Sequence, residues 1–461
     1  MEEEENGGYT RRGMAFRDWT KGNIFHNLLS LAWPMTVSAS LNMLGPTIDM
    51  IWVGKLGSAS IAGVGVAGMV VMLVNSARMG LTTGTRAMIA RFVGAGDSTG
   101  ANHVAQQAFV ISAAFSIFMA VIGISLAEPI MAAFGLEADV VSEGAAYMRI
   151  MFIGSVAMSF RMMAEAIMQA SGDAVAPMRI AVVFRLFHVA LCPFLIFGWW
   201  IFPRMGVVGA ALTNVLSQSL GVALGLWVLF SGRSRLRLTL RNFGLDRSII
   251  WRIVRIGIPA TVTGIERSFA NIVLIRFIVP FGTFAVAAHS VVQRVGQFLH
   301  MPGMGLGQGA GVLAGQNLGA NQPGRAEKTG WFAAALFSGI MLVGSIVVYF
   351  WAEGIVGIFN TEAGLVEIAA AFLRIEIVGF LVFGCVIVLS QCLNGVGDTA
   401  IPMITTLTTM WLVQVPLAYL LPKYTDLGVY GIRWAIVSAI VLRAVIYTAY
   451  FRSGRWKRKK V

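Results

Sequence analysis

Beyond residue 24 the chain alternates long apolar runs with short polar breaks. Twelve runs stand out, near 25–54, 59–82, 103–126, 143–169, 175–202, 206–231, 249–280, 284–307, 328–351, 366–393, 400–421 and 427–451. Each is about 20 residues or longer, enough to cross a hydrocarbon core as a helix. Only helices and closed barrels satisfy the backbone there, and runs of this length are helices. The pattern predicts an all-α polytopic membrane protein with twelve transmembrane helices.

The pattern also repeats. ASGDAVAPM at 170–178 returns as GVGDTAIPM at 395–403, an offset of 225 residues. The same offset carries Pro34 onto Pro259, Gly57 onto Gly282, Gly80 onto Gly305, Gly84 onto Gly309, Gly94 onto Gly319, Arg149 onto Arg374 and Gly154 onto Gly379. Near the end of each half it falls to 222, where Gly206 and Gly209 match Gly428 and Gly431. This internal duplication predicts two pseudo-symmetric six-helix bundles. Six crossings return each half to its starting side, so the halves share one orientation about an axis along the membrane normal. The expected domains are a cytoplasmic lead-in at 1–24, a first lobe at 25–231, a basic linker at 232–248, a second lobe at 249–451 and a basic tail at 452–461. Paired bundles of this kind suit alternating access around a central site, so a transporter is expected before any motif is considered.

Composition agrees with a membrane setting. The chain is 57% hydrophobic and 12% charged, with mean hydropathy +0.75, whereas soluble domains carry about 25% charged residues. A net charge of +13 raises nucleic acid as a partner, but the charge is distributed by side of the membrane. Breaks on one side hold 22 Lys and Arg; the others hold only Lys55, Arg204 and Lys423, beside acids such as Glu128, Glu137, Asp139, Glu353 and Glu362. Positive-inside bias then places both termini in the cytoplasm, in a cell membrane. The linker SGRSRLRLTLRNFGLDRS and the tail RSGRWKRKK read as segments facing anionic lipid. The acidic MEEEENGGYT is not a cleavable signal. DWTKGNIF reads as an amphipathic lead-in with Thr20 capping the first helix. Cys192, Cys385 and Cys392 lie in apolar runs without metal-ligand spacing and read as packing residues.

Several stretches resemble the multidrug and toxic compound extrusion (MATE) family, in its prokaryotic type. They are the DMIWVGKLG segment fifteen residues after Pro34, GTRAMIARFVGAGD with its echo GAGVLAGQNLGAN, the paired GD-x-x-x-PM loops, CPFLIFGWW followed by GVVGAALTNVLSQ, and GTFAVAAHSVVQRV. Together they span nearly the whole chain. The resemblance implies secondary antiport: export of amphipathic, mostly cationic organic compounds, driven by inward protons or sodium. It implies a monomer with two six-helix lobes, small organic substrates, contact with membrane lipid, and no nucleic acid. No cofactor is expected. The glycines of GAGD and LGAN read as turn residues with no phosphate-loop lysine, which argues against ATP use.

Four carboxylates fall well inside the predicted helices: Asp49, Glu165, Glu266 and Glu376. A charge at a helix centre costs about 2.5–3.5 kcal/mol on insertion scales, so each raises a functional question. Gly45-Pro46 before Asp49 should bend the first helix and free carbonyls beside the carboxylate. Such a site can bind sodium, and a desolvated carboxylate can carry a proton. The repeat partner of Asp49 is Leu274, so the fold itself does not need an acid there. The resemblance makes Asp49 the main coupling acid. The family's helix-5 pattern, roughly N-x-x-x-D-P, is met here by His188 and Cys192 before Pro193, which removes a second carboxylate. Asn42 and Thr213 match other polar positions of that site. With one acid and a nearby His188 an all-oxygen shell is poor. Proton coupling is therefore expected, with sodium at Asp49 as the alternative.

Arg185 is expected to pair with Asp49 or Glu165, and Glu165 to face the cytoplasmic loop. The second-lobe acid pair of one family branch is not carried over, because its places hold Arg267 and Phe383. Glu266 with Arg267, and Arg374 with Glu376, are expected as structural pairs, with Glu266 a further cavity residue. Arg149 and Arg374 should share one structural role. Asp173 and Asp398 should cap the helices that follow them. Two other readings remain: a lipid or lipid-linked sugar flippase of the wider superfamily, often with fourteen helices and a strongly cationic cavity, and a membrane-embedded enzyme. The enzyme reading wants clustered metal ligands or paired acids, and histidines 26, 103, 188, 289 and 300 are scattered.

Overall fold

The structure, a computed structural model, describes residues 17–241, 243–359 and 361–459. MEEEENGGYT and the last two residues of the tail lie outside the described residues. The first half runs through α1 (Ile24–Val53), α2 (Ser58–Gly94), α3 (Ser98–Ala132), α4 (Ala138–Ile153), α5 (Ser155–Ser171), α6 (Val175–Phe197) and α7 (Gly206–Ser231). The second runs through α8 (Arg247–Ile278), α9 (Thr283–Gly319), α10 (Pro323–Gly357), α11 (Ala363–Gly395), α12 (Ala400–Thr409), α13 (Val415–Tyr424) and α14 (Val429–Ser453). The π-helical turn Met410–Gln414 joins α12 to α13. α4 and α5 form one span bent by 49°. With these two pairs each taken as one segment, twelve helical segments among the described residues match the twelve apolar runs. Among the described residues eight spans are long and apolar enough to cross a membrane, or nine with the bent pair. α1, α8 and α9 complete the twelve; α8 carries Arg252, Arg255, Glu266, Arg267 and Arg276 along its length.

The duplication is visible in the helix bounds. α2 and α3 begin and end 225 residues before α9 and α10. Residues 83–94 and 308–319 were expected in polar breaks, yet both are helical. Their last turns are packed into protein through Met88, Ile89 and Ala90 in one half and Val312, Leu313 and Ala314 in the other, all buried. The turn follows only at Gly96, whose φ of +78° suits glycine.

The chain divides into two units. One holds Val37–Thr261 with the lead-in up to Trp19, the other Thr20–Thr36 with Val262–Val461. The switch points, after Thr36 and after Thr261, are themselves repeat partners. Each unit therefore takes the opening turns of the other half's first helix. The packing that seats those turns is duplicated too. A Cβ on Gly80 would collide with the Thr261 hydroxyl, and one on Gly305 with the Thr36 hydroxyl.

Several local expectations are corrected. Asn23, not Thr20, caps α1, accepting from Phe25 N at 2.8 Å and His26 N at 3.4 Å. Arg374 does not pair with Glu376 but with Glu353 at 2.7 Å, and Arg149 pairs with Glu128 at 2.9 Å. Glu128 and Glu353 are repeat partners, so the two arginines do share one structural role. Asp173 caps α6 through Ala176 N at 3.1 Å, and its burial raises its pKa above the usual carboxylate value. Asp398 does not cap; Tyr450 Oη donates to it at 2.6 Å, and Lys459 Nζ lies 3.1 Å away. The linker is pinned along α3. Gln106 donates to Thr239 O at 2.6 Å and Gln107 to Gly244 O at 2.7 Å, while Thr239 N donates to Asn102 at 2.9 Å. Asp246 ends it by capping α8, and the amides of Ile249 and Ser248 hold its carboxyl below the usual range.

Candidate functional site

Asp49 sits in the last turns of α1, which stays helical through Gly45 and Pro46. It is 2% exposed. Around it the first unit gathers α6 and α7. His188 Nε2 lies 3.0 Å from Asp49 Oδ1, a close approach without the alignment of a hydrogen bond. Asn214 Nδ2 donates to Oδ2 at 3.4 Å, and the Cys192 thiol approaches Oδ1 at 3.9 Å. His188 and Cys192 stand one turn apart on α6, so one helical face presents both. Tyr147, on α4, lies within electrostatic reach of Asp49 and Cys192. An apolar cluster including Val53, Val64, Met148, Phe152 and Ile196 surrounds the group. In such a dry setting electrostatic contacts are strong and an unpaired charge is costly.

The remaining expected residues divide. Thr213 is buried beside Asn214, but its hydroxyl is spent on Gly209 O at 2.7 Å within its own helix. Asn42 makes no hydrogen bond among the described residues. Arg185 pairs with neither Asp49 nor Glu165; its Nη1 stands 3.2 Å from His188 Nδ1. Gly45 leaves room for that guanidinium, since a Cβ there would collide with Arg185 Nη1. Glu165 does not face a loop. Arg161 pairs with it at 2.8 Å and Gln169 donates to it at 3.1 Å. Glu266, in the second unit, forms no ion pair with Arg267. It is 7% exposed, its Oε1 lacks a hydrogen-bond partner, and Arg443 and Arg267 act on it only at longer range.

Arg185 decides what the Asp49 group can bind. A guanidinium only donates, so His188 Nδ1 must accept, and the imidazole is the neutral Nε2–H form. Asp49, His188 and Cys192 do bring three ligand atoms within 4.8 Å of one another. A metal on Nε2 would need the proton on Nδ1, where Arg185 already points a donor. A sodium shell fares no better, because sulfur and imidazole nitrogen stand where a hard cation wants oxygen. The residues present therefore fit neither ion.

The second unit holds a different buried network that the sequence reading missed. Arg433 on α14 pairs with Glu376 at 3.2 Å and donates to His289 Nδ1 at 2.8 Å, with its Cζ 4.6 Å above the Phe372 ring. Asn214 and Tyr147 were missed as well. Their signal was present in part, as a lone amide next to Thr213 and a lone phenol in an apolar run.

Two duplicated bundles of membrane-length helices, one with a buried acid and imidazole, define a polytopic membrane transporter. The chain belongs to the MatE family, whose model matches residues 34–194 and 259–420, two stretches that begin 225 residues apart. It is similar to the probable multidrug resistance protein YoeA of Bacillus subtilis, at 26% identity over 96% of both chains. It is similar also to the probable multidrug resistance protein NorM of Thermotoga maritima, at 26% identity over 94% of this chain and 93% of that one. A solved structure described as MATE in the bent conformation matches with a TM-score of 0.89 at 24% identity, over 94% of this chain and 96% of the other. That likeness speaks for the fold.

Proposed function

We propose that this chain is a secondary active exporter of amphipathic organic compounds, driven by protons in preference to sodium, with Asp49 as the coupling carboxylate. The observation that carries the reading is the pairing of a buried Asp49 with a buried His188 at 3.0 Å, with no guanidinium or ammonium on the acid among the described residues. An acid held by a neutral imidazole can gain and lose a proton. One locked to a buried arginine would stay ionised. Proton entry neutralises Asp49 and loosens its hold on His188 and Asn214; proton release restores both. Alternating access turns that change into exchange when the two states bind substrate with different affinity. The relatives named as multidrug resistance proteins support export of drug-like compounds. We place the chain in the cell membrane as a monomer with both termini in the cytoplasm. The twelve helical segments favour this reading over a fourteen-helix flippase, and a family of transporters weighs against a membrane enzyme.

The test is efflux from proteoliposomes under an imposed pH gradient without sodium, then under a sodium gradient at equal pH. The pH gradient alone should drive efflux, and Asp49→Asn should lower it by about a hundredfold, or about 2.7 kcal/mol, while the protein still folds. Efflux driven only by sodium would overturn the proton assignment.

A further inference from the structure

We propose that Arg185, with Arg161 across the Phe184 ring, forms a subsite for the anionic group of an amphipathic organic substrate. This rests on the reading as an exporter and specifies the charge that the first unit accepts. It reverses the expectation of a mostly cationic cargo.

Arg185 is 6% exposed, yet it pairs with no carboxylate among the described residues. Its one polar contact is His188 Nδ1, and its Nε has no hydrogen-bond partner. The two nearby acids are engaged elsewhere: Asp49 with His188, Glu165 with Arg161 and Gln169. A guanidinium offers five N–H donors. Burying one without a counter-ion is costly, and a bound anion removes that penalty.

The surroundings add to the positive field. Arg161 Cζ lies 4.7 Å from the Phe184 ring centre and Arg185 Cζ lies 5.2 Å from it. Two like charges thus share one ring, and Glu165 is paired with only one of them, Arg161. Arg78 is buried nearby on α2, where Ser159, Asn75 and Met158 contact it and no carboxylate does. Arg86 also acts on Glu165, so three arginines, Arg86, Arg161 and Arg185, interact with two acids, Asp49 and Glu165. A cation brought to this depth meets net repulsion, whereas a carboxylate or phosphate meets a planar fork that suits it. The apolar side is open at the surface of α1. Arg185 rests against α1 at Gly45, and the flanking Leu44 and Pro46 are exposed. An apolar or aromatic body can rest on Leu44 and Pro46 while its acid reaches the guanidinium.

The test uses a matched pair of probes with one apolar body and opposite charge, 1-pyrenebutyrate and 1-pyrenebutyltrimethylammonium. Binding to the purified full chain in non-ionic detergent is read by energy transfer from tryptophan to pyrene, with no ion gradient. A failure of proton coupling therefore leaves this readout untouched. The butyrate should bind at least about tenfold more tightly than the ammonium. Arg185→Met should remove about tenfold of the butyrate affinity and leave the ammonium unchanged, and Arg185→Lys should restore part of the loss. The lysine variant and a melting curve guard against mere misfolding. Equal affinity for both probes, preference for the ammonium, or an unchanged Arg185→Met overturns the proposal. So does displacement of the butyrate by dioleoylphosphatidylglycerol at low mole fraction without butyrate uptake into vesicles, which would make the occupant a lipid headgroup.

Discussion

Asp49 and Leu274 occupy the same place in the two halves of one duplicated fold. Asp49 sits among His188, Cys192, Asn214 and Tyr147, whereas Leu274 packs in an apolar cluster with Ile278, Ala285 and Met410. The second half has buried charge as well, but at other places. His289 and Glu376 repeat onto Val64 and Met151, and Arg433, at the later offset, onto Ala211. One ring position is kept on both sides, with Tyr147 near Asp49 and Phe372 under Arg433. The scaffold was copied and kept, while the buried polar groups were placed separately in each half. In the first half the buried Asp49 is held by an imidazole, an amide and a thiol; in the second, Glu376 is held by a guanidinium.

The largest expected effects come from exchanging the two positions. Asp49→Leu should abolish gradient-driven transport, because no titrating group remains beside His188. Leu274→Asp should place an unpartnered carboxylate in an apolar cluster and cost about 3 kcal/mol or more, read as a loss of folded protein and a lower melting temperature. Tolerance of Leu274→Asp without loss would mean that the cluster around Leu274 is not dry.

The second network should behave as structure. Arg433→Met leaves Glu376 buried and unpaired and should cost about 3–5 kcal/mol of stability. Arg433→Met with Glu376→Met together should recover most of that loss, with gradient-driven transport kept. A double variant that is stable but transports nothing would move this network from structure into the coupling cycle.

How much of this was legible in the sequence follows from the range of each interaction. Apolar runs, the offset of 225 and the departure at His188 and Cys192 are local or periodic, and from them come the helix count and the two α6 neighbours of Asp49. Partner choice is not local. Arg374 is two residues from Glu376, but successive side chains on a helix diverge, and each finds its partner on another segment. Glu165 was assigned to a loop because its run ended soon after, yet Arg161, one turn earlier, holds it. Arg433 gave a lone charge in an apolar run, with no way to tell that His289 and Glu376, far apart in sequence, would meet it.

The copied scaffold can be tested at the close approaches. Gly80→Ala and Gly305→Ala each push a methyl group into a threonine on the other half's first helix, Thr261 and Thr36. Overpacking of this kind costs about 1–3 kcal/mol, and the two variants should lower the melting temperature by similar amounts. A large loss in one and none in the other would mean that the packing symmetry is only apparent.

The smallest effect concerns the pairs Arg149–Glu128 and Arg374–Glu353, which repeat each other and lie exposed. Exposed ion pairs contribute about 0–1 kcal/mol and weaken as salt rises. Arg149→Ala and Arg374→Ala should therefore each shift the melting temperature slightly, equally, and less at high salt. Neither touches the buried groups, so neither should change the dependence of transport on pH. Because the two pairs are equivalent by descent while the buried networks are not, a pH shift from Arg149→Ala alone would connect the first half's outer surface to Asp49. The packing described gives that connection no route, and such a result would require one.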